Sequence, residues 1–295
     1  MDRTCLIAGA GYTGMRLALR LQPRWRVIAL ARSDTAATRL SAAGLEVRRA
    51  DLDVRLGSNT LAIGEGAAIA YLVPPPEGAE DDPRLTHFLG GLGEARPNVV
   101  LYLSTTGVYG DAGGEVVTEA SPVTPSSDRG RRRAAAERIV SRWCSGRDVR
   151  CVLLRVPGIY GPGRLPLDRL RRGEPALRPE DSGPGNRIHV DDLVTACVAA
   201  LERPVRGIFN VTDGDHTSTT AFMQRTAALA GLPPPPLVTL AEARGRISPG
   251  MLSFLVESRR VDNRRMREEL GVEPRYACLD AGIAASLEEM RATQD

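Results

Sequence analysis

From residue 4 to about 160 the chain alternates short apolar, β-branched runs with segments of helical period, the pattern left by strand–helix–strand units that build a parallel sheet. The run Thr4–Ala8 predicts a first strand. Tyr12–Gln22, with Met15, Leu17, Ala18 and Leu21 apolar, predicts a helix that Pro23 stops. Arg26–Ala31 reads as a second strand, about Thr35 to Ala43 as a helix closed by Gly44, and Glu46–Ala50 as a third strand. Ala67–Val73 and Val99–Ser104 are the strongest buried strands, bounded by Pro74-Pro75-Pro76, Pro97-Asn98 and Thr105-Thr106-Gly107, with a helix near Arg84–Glu94 between them. Arg129–Ser145 is helical, and Val149–Val156 makes another strand.

Beyond Gly158 the pattern loosens, with glycine, proline and arginine prominent as far as Gly185. Asp191–Glu202 then reads as a helix, Gly207–Val211 as a short strand, and Thr219–Ala230 and Arg260–Leu270 as further helices. Pro233–Pro236 is a stiff extended spacer with patterned sequence on both sides. At 295 residues the chain can bury a full core, and the expected division is residues 1–160 as a nucleotide-binding domain and 161–295 as a mixed region. That region would add the last sheet elements and a small substrate-binding lobe.

The first strand feeds straight into Gly9-Ala10-Gly11-Tyr12-Thr13-Gly14 and then into a helix, the context in which a glycine loop cradles a dinucleotide pyrophosphate. Glycine is required at 9 for the tight turn, at 11 for close approach of the phosphates, and at 14 for close helix–strand packing; Tyr12 and Thr13 lie in the same loop. The fold class expected is therefore α/β, a doubly wound parallel Rossmann sheet with a small C-terminal substrate lobe. Where an NAD-preferring site would carry an acid for the ribose 2′-hydroxyl, the second strand ends Leu30-Ala31-Arg32-Ser33. An arginine and a hydroxyl there suit a 2′-phosphate, so NADP is expected over NAD, unless Arg32 only caps a surface turn. Asp51 ends the third strand, either to accept from an adenine amino group or as a plain turn aspartate.

Composition narrows the chemistry. No lysine occurs, and all 39 cationic residues are arginines, so Schiff-base chemistry, a phosphate-loop lysine and a lysine-assisted tyrosine are excluded. The net charge of +3 does not imply a nucleic-acid surface. Cys5, Cys144, Cys151, Cys197 and Cys278 are scattered without metal-ligand spacing, no signal peptide opens the chain, and apolar runs break before the roughly 18 residues of a membrane span. A cytoplasmic protein without a metal, a nucleic-acid partner or a membrane is expected, acting on a small molecule as a monomer or homodimer.

With these residues in hand, the chain resembles an extended or atypical short-chain dehydrogenase/reductase of the NAD-dependent epimerase/dehydratase type over nearly its whole length. The carriers are Gly9–Gly14, the block Leu103-Ser104-Thr105-Thr106-Gly107-Val108-Tyr109-Gly110, the block Leu154-Arg155-Val156-Pro157-Gly158-Ile159-Tyr160-Gly161-Pro162-Gly163, and Arg187-Ile188-His189-Val190-Asp191-Asp192. Asn210-Val211 and Glu269-Leu270-Gly271 add to it. The resemblance implies a catalytic hydroxyl at Thr105 and cofactor contacts at Leu72 and Pro157. It also implies a tyrosine and a lysine four residues apart on the following helix. Aligned through Arg133-Ala134-Ala135-Ala136-Glu137, those positions hold Arg129 and Arg133, and a guanidinium does not exchange its proton in proteins.

Arg129, Arg133, Ala136, Val140 and Trp143 recur at spacings of four, three, four and three, so the two arginines extend the core-facing stripe. They either wall a cationic pocket or, if the helix begins later, snorkel into solvent; Arg131 and Arg132 read as solvated charge. Arg133 remains a candidate for a cofactor ribose or a substrate anion. Tyr109, at the carboxyl end of the sheet, is the expected replacement proton carrier, with Thr105 or water as the other choices. Asp111 and Glu119 read as turn acids, Tyr160 as a packing residue, Asp191 as a helix cap and His189 as a structural histidine. The activity expected is that of an oxidoreductase or epimerase/dehydratase on a small carbonyl, hydroxyl or nucleotide-sugar-like compound. A non-catalytic NADP(H)-binding sensor or scaffold is the alternative.

Overall fold

The computed structural model describes residues 3–244 and 257–293. In chain order the elements are β1 (Thr4–Ala8), α1 (Tyr12–Leu21), β2 (Arg26–Ala31), α2 (Asp34–Ala42), β3 (Glu46–Arg49), β4 (Ala68–Tyr71), α3 (Pro83–Gly91) and β5 (Val99–Thr105). Then come β6 (Val116–Val117), α4 (Asp128–Ser145), β7 (Arg150–Val156), β8 (Gly158–Tyr160), α5 (Leu167–Arg171), β9 (Ala176–Leu177), β10 (Arg187–His189), α6 (Val190–Glu202) and β11 (Gly207–Asn210). The last are α7 (Thr219–Ala230), β12 (Leu237–Val238), α8 (Leu240–Ala243), a two-residue strand Arg260–Val261, a short helix Arg264–Glu268 and a final helix Leu279–Ala292.

Seven strands form one parallel sheet in the order β11-β7-β5-β4-β1-β2-β3, with the chain reversing its direction of travel at β1. This is the doubly wound Rossmann architecture, in which ligands sit at the carboxyl ends of the strands where the order reverses. Helices cover both faces, so the strands are apolar on both sides and read as continuous runs. Successive side chains alternate faces. Cys5 and Ile7 join the core under α1 and α6, with Leu17, Leu21, Leu193 and Cys197. Leu6 and Ala8 join the opposite core under α3 and α4, with Phe88, Leu89 and Val140.

Residues beyond 160 divide between two tasks. α6 and β11 complete the sheet, while Tyr160, Leu165, Leu167, Leu279, Ile283 and Leu287 form a separate apolar cluster beside it. Pro233–Pro236 leads into β12, which pairs with β9. The expected helix over Arg260–Leu270 is corrected: Arg260–Val261 pairs in parallel with β6, and helix is confined to Arg264–Glu268. Asn186 Oδ1 accepts from the Val261 amide at 2.9 Å and Asp262 Oδ1 from that of Arg264 at 2.9 Å, so long-range pairing and a local turn override the charged helical pattern. The helix Leu279–Ala292 had no counterpart in the sequence reading.

Candidate functional site

The site begins where β1 turns into α1. Gly9 has φ +94°, and a Cβ there would stand 2.9 Å from backbone atoms of Leu72 and Val73; at Gly14 it would stand 2.2 Å from the Gly9 carbonyl oxygen. Both positions are closed to any side chain. At Gly11 nothing lies within 4 Å, so the loop is open on the side where a pyrophosphate would lie. Gly11 is also the N-cap of α1 and offers no side-chain cap, which leaves the first-turn amides free to meet an anion. Tyr12 donates its hydroxyl to the Pro162 carbonyl at 2.9 Å, between the guanidinium groups of Arg16 and Arg164, and thereby ties the loop to the Pro157–Gly163 block. Thr13 is buried, and Leu72 donates its amide to the Ala8 carbonyl at 2.8 Å, directly against the turn. Pro157 sits in the break between β7 and β8 and is not among the residues lining the adjoining cavity.

That cavity, about 300 Å³, continues from the glycines over the ends of β2 and β3, lined by Leu30, Ala31, Arg32, Arg39, Asp51, Asp53 and Arg84 among others. Arg32 donates to Asp53 at 2.8 Å, and Arg84 donates to the other oxygen of the same carboxylate. These hydrogen bonds, that from Arg84 foremost, hold Asp53 below the usual carboxylate range. An acid therefore does stand beside Arg32, brought from 21 residues away. Ser33 caps α2 by accepting from the Ala36 amide at 3.2 Å, and Asp51 accepts from the Asp53 amide at 3.0 Å as a turn aspartate on the cavity wall. Arg39 and Arg84 were missed by sequence reasoning. Arg39 donates to the Ala10 carbonyl at 3.1 Å, a contact between helix and loop that no local pattern signals.

At the end of β5, Thr105 is half-buried and accepts from the Gly107 amide at 3.1 Å. Tyr109 is placed differently from its expected role. Its ring is 2% exposed, its hydroxyl donates to Asn210 Oδ1 at 2.7 Å, and burial raises its pKa despite the Arg155 guanidinium 4.8 Å from the ring centroid. This is the geometry of a structural hydrogen bond, and it speaks against Tyr109 as the proton carrier. Beneath it lies a buried ion pair: Arg155 donates to both Glu137 oxygens at 3.0 and 2.7 Å, and Ser104 Oγ donates to Glu137 at 2.5 Å. Glu137, the anchor of the helix alignment, is thus committed to structure.

Ser127 caps α4 by accepting from the Gly130 amide at 3.2 Å, so the helix begins before Arg129 and carries both arginines in its first turns. Arg133 is 8% exposed; its Nη1 donates to the Leu103 carbonyl at 2.8 Å and to Tyr102 Oη at 3.1 Å. Arg129 is exposed over the residue as a whole. Desolvation, followed by the charges of Arg133 and Arg132, moves it below the ordinary guanidinium value. No phenol meets Thr105 from this helix, because α4 contains no tyrosine.

The Arg187–Asp192 segment closes the far side. His189 is 1% exposed, and its Nδ1 caps α6 by accepting from the Asp191 amide at 3.2 Å, so the cap is the histidine and not Asp191 as expected. Its Nε2 faces Ser286 Oγ at 3.2 Å, and burial pushes its pKa down to about 4. Asp192 accepts from the Arg275 and Tyr276 amides at 2.9 and 3.0 Å, fastening the final segment to the sheet. Asp111 caps its own turn, accepting from the Gly113 amide, while Glu119 accepts from the Asn210 amide at 2.8 Å. Among the described residues no three His, Cys, Asp or Glu side chains converge as a metal site, and no helix is long and apolar enough to cross a membrane.

Comparison with known proteins places this geometry. Residues 86–212 match the model of the NAD dependent epimerase/dehydratase family. Protein YeeZ of Escherichia coli (strain K12) is 28% identical over 281 residues, covering 92% of this chain and 95% of that one. The structure of a functionally unknown conserved protein from Silicibacter pomeroyi DSS is 33% identical, with a TM-score of 0.81 and 99% of each chain covered. MoeE5, solved in complex with UDP-glucose and NAD, shares the fold at 23% identity, with a TM-score of 0.76 and 100% of both chains covered. With the glycine loop, the strand-end blocks and the seven-stranded sheet in their expected places, the chain belongs to the NAD dependent epimerase/dehydratase family.

Proposed function

We propose that the chain binds NAD(P)(H) across the carboxyl ends of β1, β2 and β4, and acts as an oxidoreductase or epimerase on a small carbonyl, hydroxyl or nucleotide-sugar-like substrate. The observation that carries this reading is the glycine turn: closed to side chains at Gly9 and Gly14, open at Gly11, and facing uncapped helix amides. The dinucleotide supplies hydride transfer when bound. The protein's own part is to hold the diphosphate at the α1 amides, seat the adenosine end in the cavity between Arg32, Arg39 and Asp51, and orient substrate with the Thr105 hydroxyl. Thr105 or a water then handles the proton in place of Tyr109, whose hydroxyl is given to Asn210.

For the nucleotide's ribose we favour a 2′-phosphate. Arg32 lies at the cavity rim in an exposed, solvent-screened pair with Asp53, and Asp53 retains Arg84 if Arg32 turns to a phosphate. Titration of NADP and NAD into the protein and into Arg32→Ala tests this: NADP preference in the parent, lost in the variant, is expected, and equal or better binding of NAD by the parent refutes it. A second reading, a non-catalytic dinucleotide-binding protein, is favoured by the arginines at 129 and 133 together with the buried Tyr109 hydroxyl. Net cofactor oxidation or reduction, or conversion of substrate to its epimer followed by product analysis, with any member of a carbonyl and nucleotide-sugar panel decides for the enzyme; the absence of both across the panel, with dinucleotide bound, decides for the second reading.

A further inference from the structure

The Pro74–Glu77 turn, the start of α3 and the first turns of α4 enclose a second cavity of about 410 Å³, lined by Arg84, Arg129, Arg132 and Arg133. Arg132, expected on the wet side of the helix, is half-buried on this wall. Arg84 is satisfied by Asp53 and Arg133 by the Leu103 carbonyl, whereas Arg129 and Arg132 join no ion pair and make no side-chain hydrogen bond among the described residues. Glu77 is the one carboxylate among the lining residues. Several surface arginines elsewhere are paired with acids, as in Arg26–Glu46, Arg265–Glu269 and Arg267–Glu273, while others, such as Arg55 and Arg138, stand singly among the described residues. Guanidinium groups gathered without counter-charge repel one another, and their planar forks match the oxygens of a carboxylate or phosphate.

The position of the cavity supplies the second half of the argument. In the sheet, β4 and β5 lie on the other side of β1 from β2 and β3, so this cavity flanks the half of the groove opposite the adenosine side, and Arg84 stands on the wall of both cavities. We propose that it binds the carboxylate or phosphate of an anionic substrate, held by Arg129 and Arg132 with Arg133 as the fixed inner wall. The inference rests on the reading of the groove as a dinucleotide site and names the class of substrate beside it. Of the two positions that the family resemblance assigns to proton transfer, Arg129 becomes one arm of the oxyanion clamp and Arg133 its inner wall.

The test is calorimetric titration of inorganic phosphate and, separately, acetate at low ionic strength, where screening is weakest. It compares the full chain, Arg129→Gln/Arg132→Gln and Gly11→Val. Binding of at least one anion, weakened tenfold or more in the double variant and unchanged in Gly11→Val, is expected, and the tighter of the two identifies a phosphate or a carboxylate group. The single variants Arg129→Gln and Arg132→Gln, both on side chains that reach solvent, give intermediate losses. No binding, equal binding by the double variant, or loss only in Gly11→Val overturns the proposal. The dinucleotides are titrated in the same series. If they bind while phosphate and acetate do not, the anion site falls and the cofactor reading stands; the converse overturns the cofactor reading and supports the anion site.

Discussion

Glu137 and Tyr109 show how far single residues can be read from sequence. Both fall in recognisable blocks, yet their partners lie 18 and 101 positions away, Arg155 for the carboxylate and Asn210 for the phenol. Local patterning identifies such side chains and leaves their roles open, since a hydroxyl poised to react and one spent on a buried amide have the same neighbours in sequence. Removing one partner of a buried ion pair leaves the other charge desolvated, so Glu137→Ala is expected to lower the unfolding free energy by roughly 3–5 kcal/mol in denaturant titration. A loss no larger than that of a surface substitution contradicts the burial of this pair. The glycine loop was legible because its demands are local, whereas Asp53 beside Arg32 was not, being a pairing across two strand ends.

At the scale of elements, the strands of the main sheet and the helices α1 to α4, α6 and α7 were readable from period and punctuation. Burial on both faces makes their strands apolar throughout, and Gly44 and Pro23 mark real ends. What escaped were the strands of two and three residues and the short helices α5 and α8, which carry too few positions to show a period, and the last helix, whose core face of Leu279, Ile283 and Leu287 is diluted by alanines and charges. The start of α4 matters most for the site, since it decides whether the arginines are helical. Its Ser127 cap takes one of the otherwise unsatisfied first-turn amides. Ser127→Ala is expected to cost about 0.5–2 kcal/mol of stability. It should also weaken anion binding at the arginine cavity, because Arg129 sits in the turn that frays; unchanged stability and anion affinity would place the helix start elsewhere.

For the molecule as a whole, two buried groups contribute opposite slopes to the pH profile. Asp213 is pushed up to about 8 by burial from the ordinary 3.8, so between those values the folded state holds a proton that the unfolded chain has lost, and stability falls as pH rises through this window. His189, pushed down to about 4 from 6.5 by burial, works in the opposite sense: its unfolded form takes a proton first, and stability falls as pH drops from 6.5 to 4. The two slopes offset below pH 6.5, and from there to about 8 only that of Asp213 remains. Denaturant midpoints at these two pH values should show the parent losing about 1–2 kcal/mol and Asp213→Asn losing less. Equal losses would show that Asp213 is ionised in the fold.

The central claim is an intact dinucleotide cradle in a chain whose usual proton-handling positions hold arginine. It is tested most directly by calorimetric titration of NADP, NADPH, NAD and NADH into the parent protein and into Gly11→Val, whose added Cβ meets no atom within 4 Å. The account predicts saturable binding of at least one dinucleotide by the parent and a loss of about tenfold or more, 1.4 kcal/mol, in the variant at unchanged thermal stability. No binding by the parent, or equal binding by both proteins, would contradict it.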